Sequence, residues 1–237
     1  MKLSAPIFRL KRHAREHARA EGIPLHAALD RVAVKEGFAT WSHLASVWSR
    51  QDPADRVWAR LSAGDMLLIG ARPGQGKTQL GLDMTRAAAK DGRTSYVFTL
   101  EYNSCDVGER LVKPDRGKTN QKALPIVDTS NAICADHILE RIDKPATPPF
   151  ALIDYLQILD QKRTHASLDH QVKTLKSFAQ STGAIFVAIS QIDRSFDISD
   201  KPLPDRSDVR LPNPLDLTLF NRACFLHEGE IQLDGFG

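Results

Sequence analysis

The chain has 237 residues, enough for one full α/β domain with a small appendage. With 42% hydrophobic and 26% charged residues it is neither disordered nor fibrous, and no run reaches the roughly 18 apolar residues that a membrane span needs. The formal charge of +3 is unevenly spread: residues 1–60 hold 11 Lys/Arg against 6 Asp/Glu, a net +5, which leaves −2 for the rest.

The basic character is concentrated in "PIFRLKRHAREHARAEG", where Ile7, Leu10, Ala14 and Ala18 recur at helical spacing and Arg9, Lys11, Arg12, Arg15 and Arg19 fall largely on the other sides. Gly22 and Pro24 break this helix. A second is expected over 25–36, ended by Gly37, and a third is expected after a Thr40 cap, carrying Trp41, Leu44, Ala45 and Trp48. Two readings of this appendage stand side by side: a packed bundle with solvated arginines, or an arm that holds nucleic acid through Arg9, Lys11, Arg12 and Arg15. "RQDPAD" at 50–55 interrupts the pattern, so a helical region over 1–52 and a second domain over 55–237 are expected.

Beyond that boundary, strand-like and helix-like runs alternate, as a parallel sheet with crossover helices requires. Strands are expected at 65–70, 94–101, 124–128, 150–159 and 184–190, with helices at 78–92, 104–112, around 135–142 and at 168–183. Cys105, Cys134 and Cys224 are isolated and form no CxxC pair, which argues against a disulfide framework or a zinc site and fits a reducing cytoplasm. Glu16 and Glu21 interrupt the basic N-terminus and no long apolar core follows, so no signal peptide is expected.

The stretch "GARPGQGKT" runs from the strand "DMLLIG" into a helix, the setting of a phosphate-binding P-loop. Ala71 replaces the first glycine of the general pattern. The stretch Ala71, Arg72, Pro73, Gly74, Gln75, Gly76, Lys77, Thr78 and Gln79 is expected to line a triphosphate, with the backbone N–H groups of its non-proline residues facing the oxygens, Lys77 on the β- and γ-phosphates and the Thr78 hydroxyl on Mg²⁺. Asp154, after four apolar residues, is the candidate second metal carboxylate, against an ordinary strand-end aspartate. Glu101 is the candidate water-activating base, with Asp160 and Glu109 read as solvated.

"LSAGDMLLIGARPGQGKTQLGLDM", "SYVFTLEYN", "FALIDYLQIL" and "VAISQIDRSFD", in this order, resemble the RecA-like ATPase domain of the DnaB-type replicative helicases. The Ala-Arg-Pro lead-in is itself typical of that family, "RSDVR" at 206–210 is similar to a further segment, and the likeness covers about 60–227. The resemblance implies a RecA-like P-loop NTPase of the α/β class, a mostly parallel central sheet flanked by helices, with ATP and Mg²⁺ as cofactors. It implies that Glu101 polarises the attacking water, that Asp154 holds Mg²⁺ through water, and that Gln191 senses the γ-phosphate. The segments after the Asp154 and Gln191 strands would approach single-stranded DNA, through Lys162 and Arg163 in the first and Arg194 in the second. Lys162, Arg163 and His165 suit a phosphate backbone or a plain solvated turn, whereas in 193–208 acids at least match bases, so DNA contact there rests on the resemblance alone.

The sequence has no match to the family's arginine-finger segment, so a homo-oligomer or a protein partner supplying an arginine in trans is expected. Arg210 and Arg222 are the nearest alternatives within the chain. The function classes that follow are a helicase-like motor or helicase-derived accessory ATPase on DNA, and a nucleotide-switched DNA- or protein-binding module with little turnover.

Overall fold

A computed structural model describes residues 3–5, 7–50, 52–111, 124–142, 147–162, 164–211 and 213–235. Within it the chain forms two compact units, 1–56 and 57–237.

The first unit is built from α1 (Ile7–Glu21), α2 (Leu25–Lys35) and α3 (Trp41–Arg50). Leu10 and Ala14 of α1, Ala28, Val32 and Ala33 of α2 and Leu44 of α3 bury together, with Ile7, Ala18, Leu29, Phe38 and Trp41 packed around them. The apolar helical stripes thus form the core of a small bundle, and the Trp41 ring packs against it. Gly37, at φ +86°, takes the left-handed conformation that stops the chain after α2. Thr40 then caps α3 by accepting from the His43 N–H at 3.1 Å. The stretch expected to interrupt the helical pattern runs into a short helix, α4 (Pro53–Trp58), where Asp52 accepts from the Ala54 N–H at 3.0 Å and Pro53 suits the first helical position.

The second unit holds a seven-stranded sheet: β1 (Met66–Ala71), β2 (Ser95–Thr99), β3 (Ile126–Asp128), β4 (Phe150–Asp154), β5 (Ile185–Gln191), β6 (Arg222–His227) and β7 (Glu230–Asp234). The order is β3-β2-β4-β5-β1-β6-β7, parallel throughout except for the β6–β7 hairpin. β1, β2 and β4 are buried along their whole length, as expected where helices cover both faces of a parallel sheet. Strand alternation sends Leu152 and Ile189 against Gly81 of α5 (Lys77–Lys90), while Ala151, Ile153, Phe186 and Ala188 join the cluster formed with α7 (Ala135–Arg141) and α8 (Leu168–Thr182). The remaining helix, α6 (Ser104–Leu111), follows β2.

Two expectations are corrected here. The run expected as one strand over 150–159 divides: β4 stops at Asp154, and Leu156–Asp160 is a 3-10 turn whose Leu156, Ile158 and Leu159 are all buried. Those apolar residues are in the core without being in the sheet. No strand is expected after residue 190 from the sequence, yet β6 and β7 extend the sheet beyond β1.

Gly70 of β1 pairs with Phe225 of β6. A Cβ there would meet the Phe225 ring at 2.8 Å and Ile192 at 3.1 Å, both in the buried core. Gly70→Ala is therefore expected to destabilise the second unit by about 1–3 kcal/mol through overpacking. Chemical denaturation checks this, and an unchanged midpoint would show that the Phe225 ring yields freely.

Candidate nucleotide site

Because β1, β2, β4 and β5 are parallel neighbours in space, their C-terminal ends open onto one edge of the sheet, where α/β folds place ligands. Thr99 pairs with Asp154 and Ala71 with Gln191, so residues far apart in sequence arrive at that edge together. Between β1 and α5 the chain makes a loop with Gly74 at φ +80° and Gly76 at φ +84°. Both are left-handed, and a Cβ on either would meet nothing within 4 Å, so the loop borders open space. α5 begins at Lys77, which directs the free N–H groups and the positive end of a 14-residue helix at the loop.

Asp154 is 2% exposed, and its carboxylate accepts a hydrogen bond from the Thr78 hydroxyl. Burial and the nearby Glu101 carboxylate push its pKa up from 3.8 to about 6, against the opposing pull of that hydrogen bond and of the Lys77 and Arg110 charges. Glu101 is exposed, two residues beyond the end of β2, and its N–H donates to the Thr99 hydroxyl at 3.1 Å. The structure therefore brings Lys77, Thr78, Glu101 and Asp154 together. Among the described residues no group of three or more His, Cys, Asp or Glu could hold a metal unaided. A hydroxyl beside a single buried carboxylate, next to a phosphate cradle, fits Mg²⁺, which is usually held by one or two protein ligands, substrate phosphates and water.

The elevated pKa has a stability consequence. In the nucleotide-free protein, ionising Asp154 costs free energy as pH rises from about 4 to 6, because the folded state prefers the protonated acid. Asp154→Asn, which mimics that acid, is expected to be more stable than the wild type by up to about 3 kcal/mol at neutral pH, with no gain below about pH 4. Urea denaturation across this range tests it, and equal stability at pH 7 would contradict it.

Arg110 was not singled out from the sequence. It lies in the last turn of α6, its guanidinium stacks over the Tyr102 ring at 4.3 Å, and its charge lowers the pKa of Asp154. The only signal was an arginine one turn after the buried Val107, and cations in last turns are common enough to hide it.

Other expected site residues are placed differently. The Arg72 and Gln75 side chains leave the loop for partners elsewhere: Arg72 reaches Asp197 and the Ile192 carbonyl, and the Gln75 side-chain oxygen accepts from the Glu228 N–H at 2.8 Å. Gln79 donates to Asp83 and the Arg110 carbonyl, while Ala71 is buried within β1 and Pro73 is exposed. Gln191 is the last residue of β5 rather than a residue beyond it. Lys162 and Arg194 are exposed, Arg163 lies outside the described residues, and so does the Arg9 side chain. Arg12 and Arg15 are exposed on α1, Lys11 is half-buried, and Arg12 pairs with Glu16 at 3.6 Å. Asp160 is not simply solvated, since it accepts a hydrogen bond from Asn213. His227, the last residue of β6, packs its ring edge-on against Phe196.

Of the two alternative fingers, Arg222 pairs with Leu67 and binds Asp65 at 3.2 Å, which puts it at the end of β1 away from the loop. Arg210 lies on the loop side, with its N–H donating to the Gln191 carbonyl at 2.8 Å.

A mostly parallel sheet of this order, with a glycine loop after β1 and carboxylates at the ends of the neighbouring strands, is the architecture of the RecA-like fold. The family profile described as the DnaB-like helicase C terminal domain matches residues 51–125. Among curated proteins, the replicative DNA helicase DnaB of Leifsonia xyli subsp. xyli is 26% identical over 187 residues, covering 66% of this chain and 41% of that protein. The DnaB of Helicobacter pylori J99 is 25% identical over 210 residues, covering 73% and 43%. Among solved structures, a DnaB-like replicative helicase studied for its interactions with primase superposes with a TM-score of 0.57 at 17% identity, over 94% of this chain and 65% of that one. Residues 57–237 thus have a RecA-like fold, and the chain is similar in sequence to DnaB-type helicases. The chain spans about two fifths of the length of these curated relatives.

No helix among the described residues is long and apolar enough to cross a membrane.

Proposed function

We propose that this protein binds ATP with Mg²⁺, hydrolyses it, and directs the turnover at DNA as a helicase-like motor or a helicase-derived accessory ATPase in the cytoplasm. The observation that carries the reading is the convergence of Lys77, Thr78, Glu101 and Asp154 at the glycine loop. Lys77 contacts the β- and γ-phosphates, and the loop N–H groups hold the remaining oxygens. The Thr78 hydroxyl and the Asp154 carboxylate, already hydrogen-bonded to one another, hold the metal, Asp154 through water. Bound Mg²⁺ supplies neutralisation of the charge that develops on the transferred phosphoryl group. Glu101, exposed at the rim, orients a water and accepts its proton, and Gln191 at the end of β5 contacts the γ-phosphate.

DNA as the object of this turnover is supported by the DnaB-type fold and by exposed cations at Lys162, Arg194, Arg12 and Arg15. Phosphate contacts of this kind give sequence-tolerant, salt-sensitive binding. An arginine supplied in trans, by a second copy or a protein partner, would complete the site. A second reading, a nucleotide-switched binding module with little turnover, draws on the charge economy of 193–208. Lys201 is held by Asp205 and Asp208, and Arg206 by Asp234 and two carbonyls, so partners within the fold already hold much of the positive charge of that segment.

Steady-state ATP hydrolysis with and without a single-stranded oligonucleotide separates the two readings. Strong stimulation supports the motor. Flat turnover with ATP-dependent oligonucleotide affinity supports the switch, and absence of both ATP binding and turnover overturns each.

A further inference from the structure

We propose that Arg72 and Asp197 form a mechanical link that transmits nucleotide occupancy of the glycine loop to the segment 193–208. This rests on the nucleotide reading above. Arg72 immediately follows β1, is only 20% exposed, and donates from Nε to both carboxylate oxygens of Asp197 at 3.0 and 3.1 Å. A second nitrogen lies 2.8 Å from the same carboxylate, and a third contact runs to the Ile192 carbonyl at 3.1 Å. A planar guanidinium held this way keeps one orientation relative to its partner, and breaking the fork would leave a largely buried cation unpaired. A shift in the loop backbone at Arg72 is therefore carried to Asp197 rather than absorbed by side-chain rotation.

The receiving segment is built to move as a unit. The Asp193 N–H donates to the Asp208 carbonyl at 2.7 Å, Ile192 bridges Val209, and Lys201 ties Asp205 and Asp208 together at 3.1 and 2.9 Å. Asp197 lies in its first 3-10 turn, Arg194–Ile198, which is anchored by the buried Phe196 and presents Ile198 at 89% exposure. The same turn is tied back to the loop a second way: Phe196 packs edge-on against His227 at 5.0 Å, and Glu228, at the tip of the β6–β7 hairpin, donates to Gln75. The loop, the turn and the hairpin tip thus close a triangle. The loop's own hinges, Gly74 and Gly76, flank Gln75, so the phosphate-binding backbone can adjust while its two polar side chains pull on two other elements. This route is separate from Gln191, whose contribution runs along β5.

Arg72 and Asp197 act here as positioning residues, and Asp197 is the one to vary because its replacement leaves the loop sequence intact. Hydrogen exchange of the full chain is measured with and without Mg²⁺ and the slowly hydrolysed analogue ATPγS. In the wild type, protection is expected in 72–80 together with an altered exchange rate in 193–208. Asp197→Asn is expected to keep the response at 72–80 and lose the response at 193–208, and Asp197→Glu, which restores the carboxylate, is expected to recover it. A 193–208 response in Asp197→Asn equal to that of the wild type overturns the link, as does an inert 193–208 in a wild type whose 72–80 responds. Silence at 72–80 in the wild type overturns the nucleotide reading, and the link with it.

Discussion

Lys77→Ala is expected to abolish tight ATP binding while leaving the fold intact. The side chain is half-buried at the first position of α5, outside the buried clusters that hold the second unit together. Hydrogen bonds involving a charged group are worth about 1.5–3 kcal/mol each, so losing contacts to two phosphates weakens binding by at least about 3 kcal/mol, on the order of a hundredfold in Kd. Titration calorimetry with Mg²⁺–ATP measures this directly. Wild-type affinity in the variant would remove the glycine loop from the phosphate site.

Glu101→Gln should separate binding from chemistry. The amide keeps the size of the side chain and loses the basic oxygen, so ATP affinity is expected to hold while turnover falls by about 10²- to 10⁴-fold, the usual contribution of a general base. Removing the Glu101 charge also relieves one of the two influences that raise the Asp154 pKa, so the Asp154 carboxyl should titrate lower in this variant. Wild-type turnover in Glu101→Gln would assign the base elsewhere.

The two variants also distinguish the function classes. A motor depends on turnover, so Glu101→Gln would lose its effect on DNA; a switch depends on occupancy, so Glu101→Gln would retain ATP-dependent DNA affinity and Lys77→Ala would not.

What was legible in the sequence was local. The glycine loop is contiguous from 70 to 78, its strand and helix adjoin it, and the apolar periods of 2 and 3.6 report buried faces, so the α/β class could be read and Lys77, Thr78, Glu101 and Asp154 picked out as candidates. The three helices of the first unit were legible for the same reason, with Gly37 and Thr40 marking their limits.

What the tertiary structure decided depended on direction and pairing. The strand order, with β4 and β5 inserted between β2 and β1, sets which strand ends meet, and no local period encodes it. Apolarity reports burial and not backbone, so Leu156, Ile158 and Leu159 read as more strand when they form a buried turn, and the hairpin of β6 and β7 passed unnoticed. Side-chain direction escaped the sequence too: Arg72 and Gln75, part of the loop by position, point to Asp197 and Glu228, while the Arg110 charge on α6 lowers the pKa of Asp154. A motif specifies which backbone groups surround a phosphate; where its remaining side chains go is set by the partners that folding brings within reach.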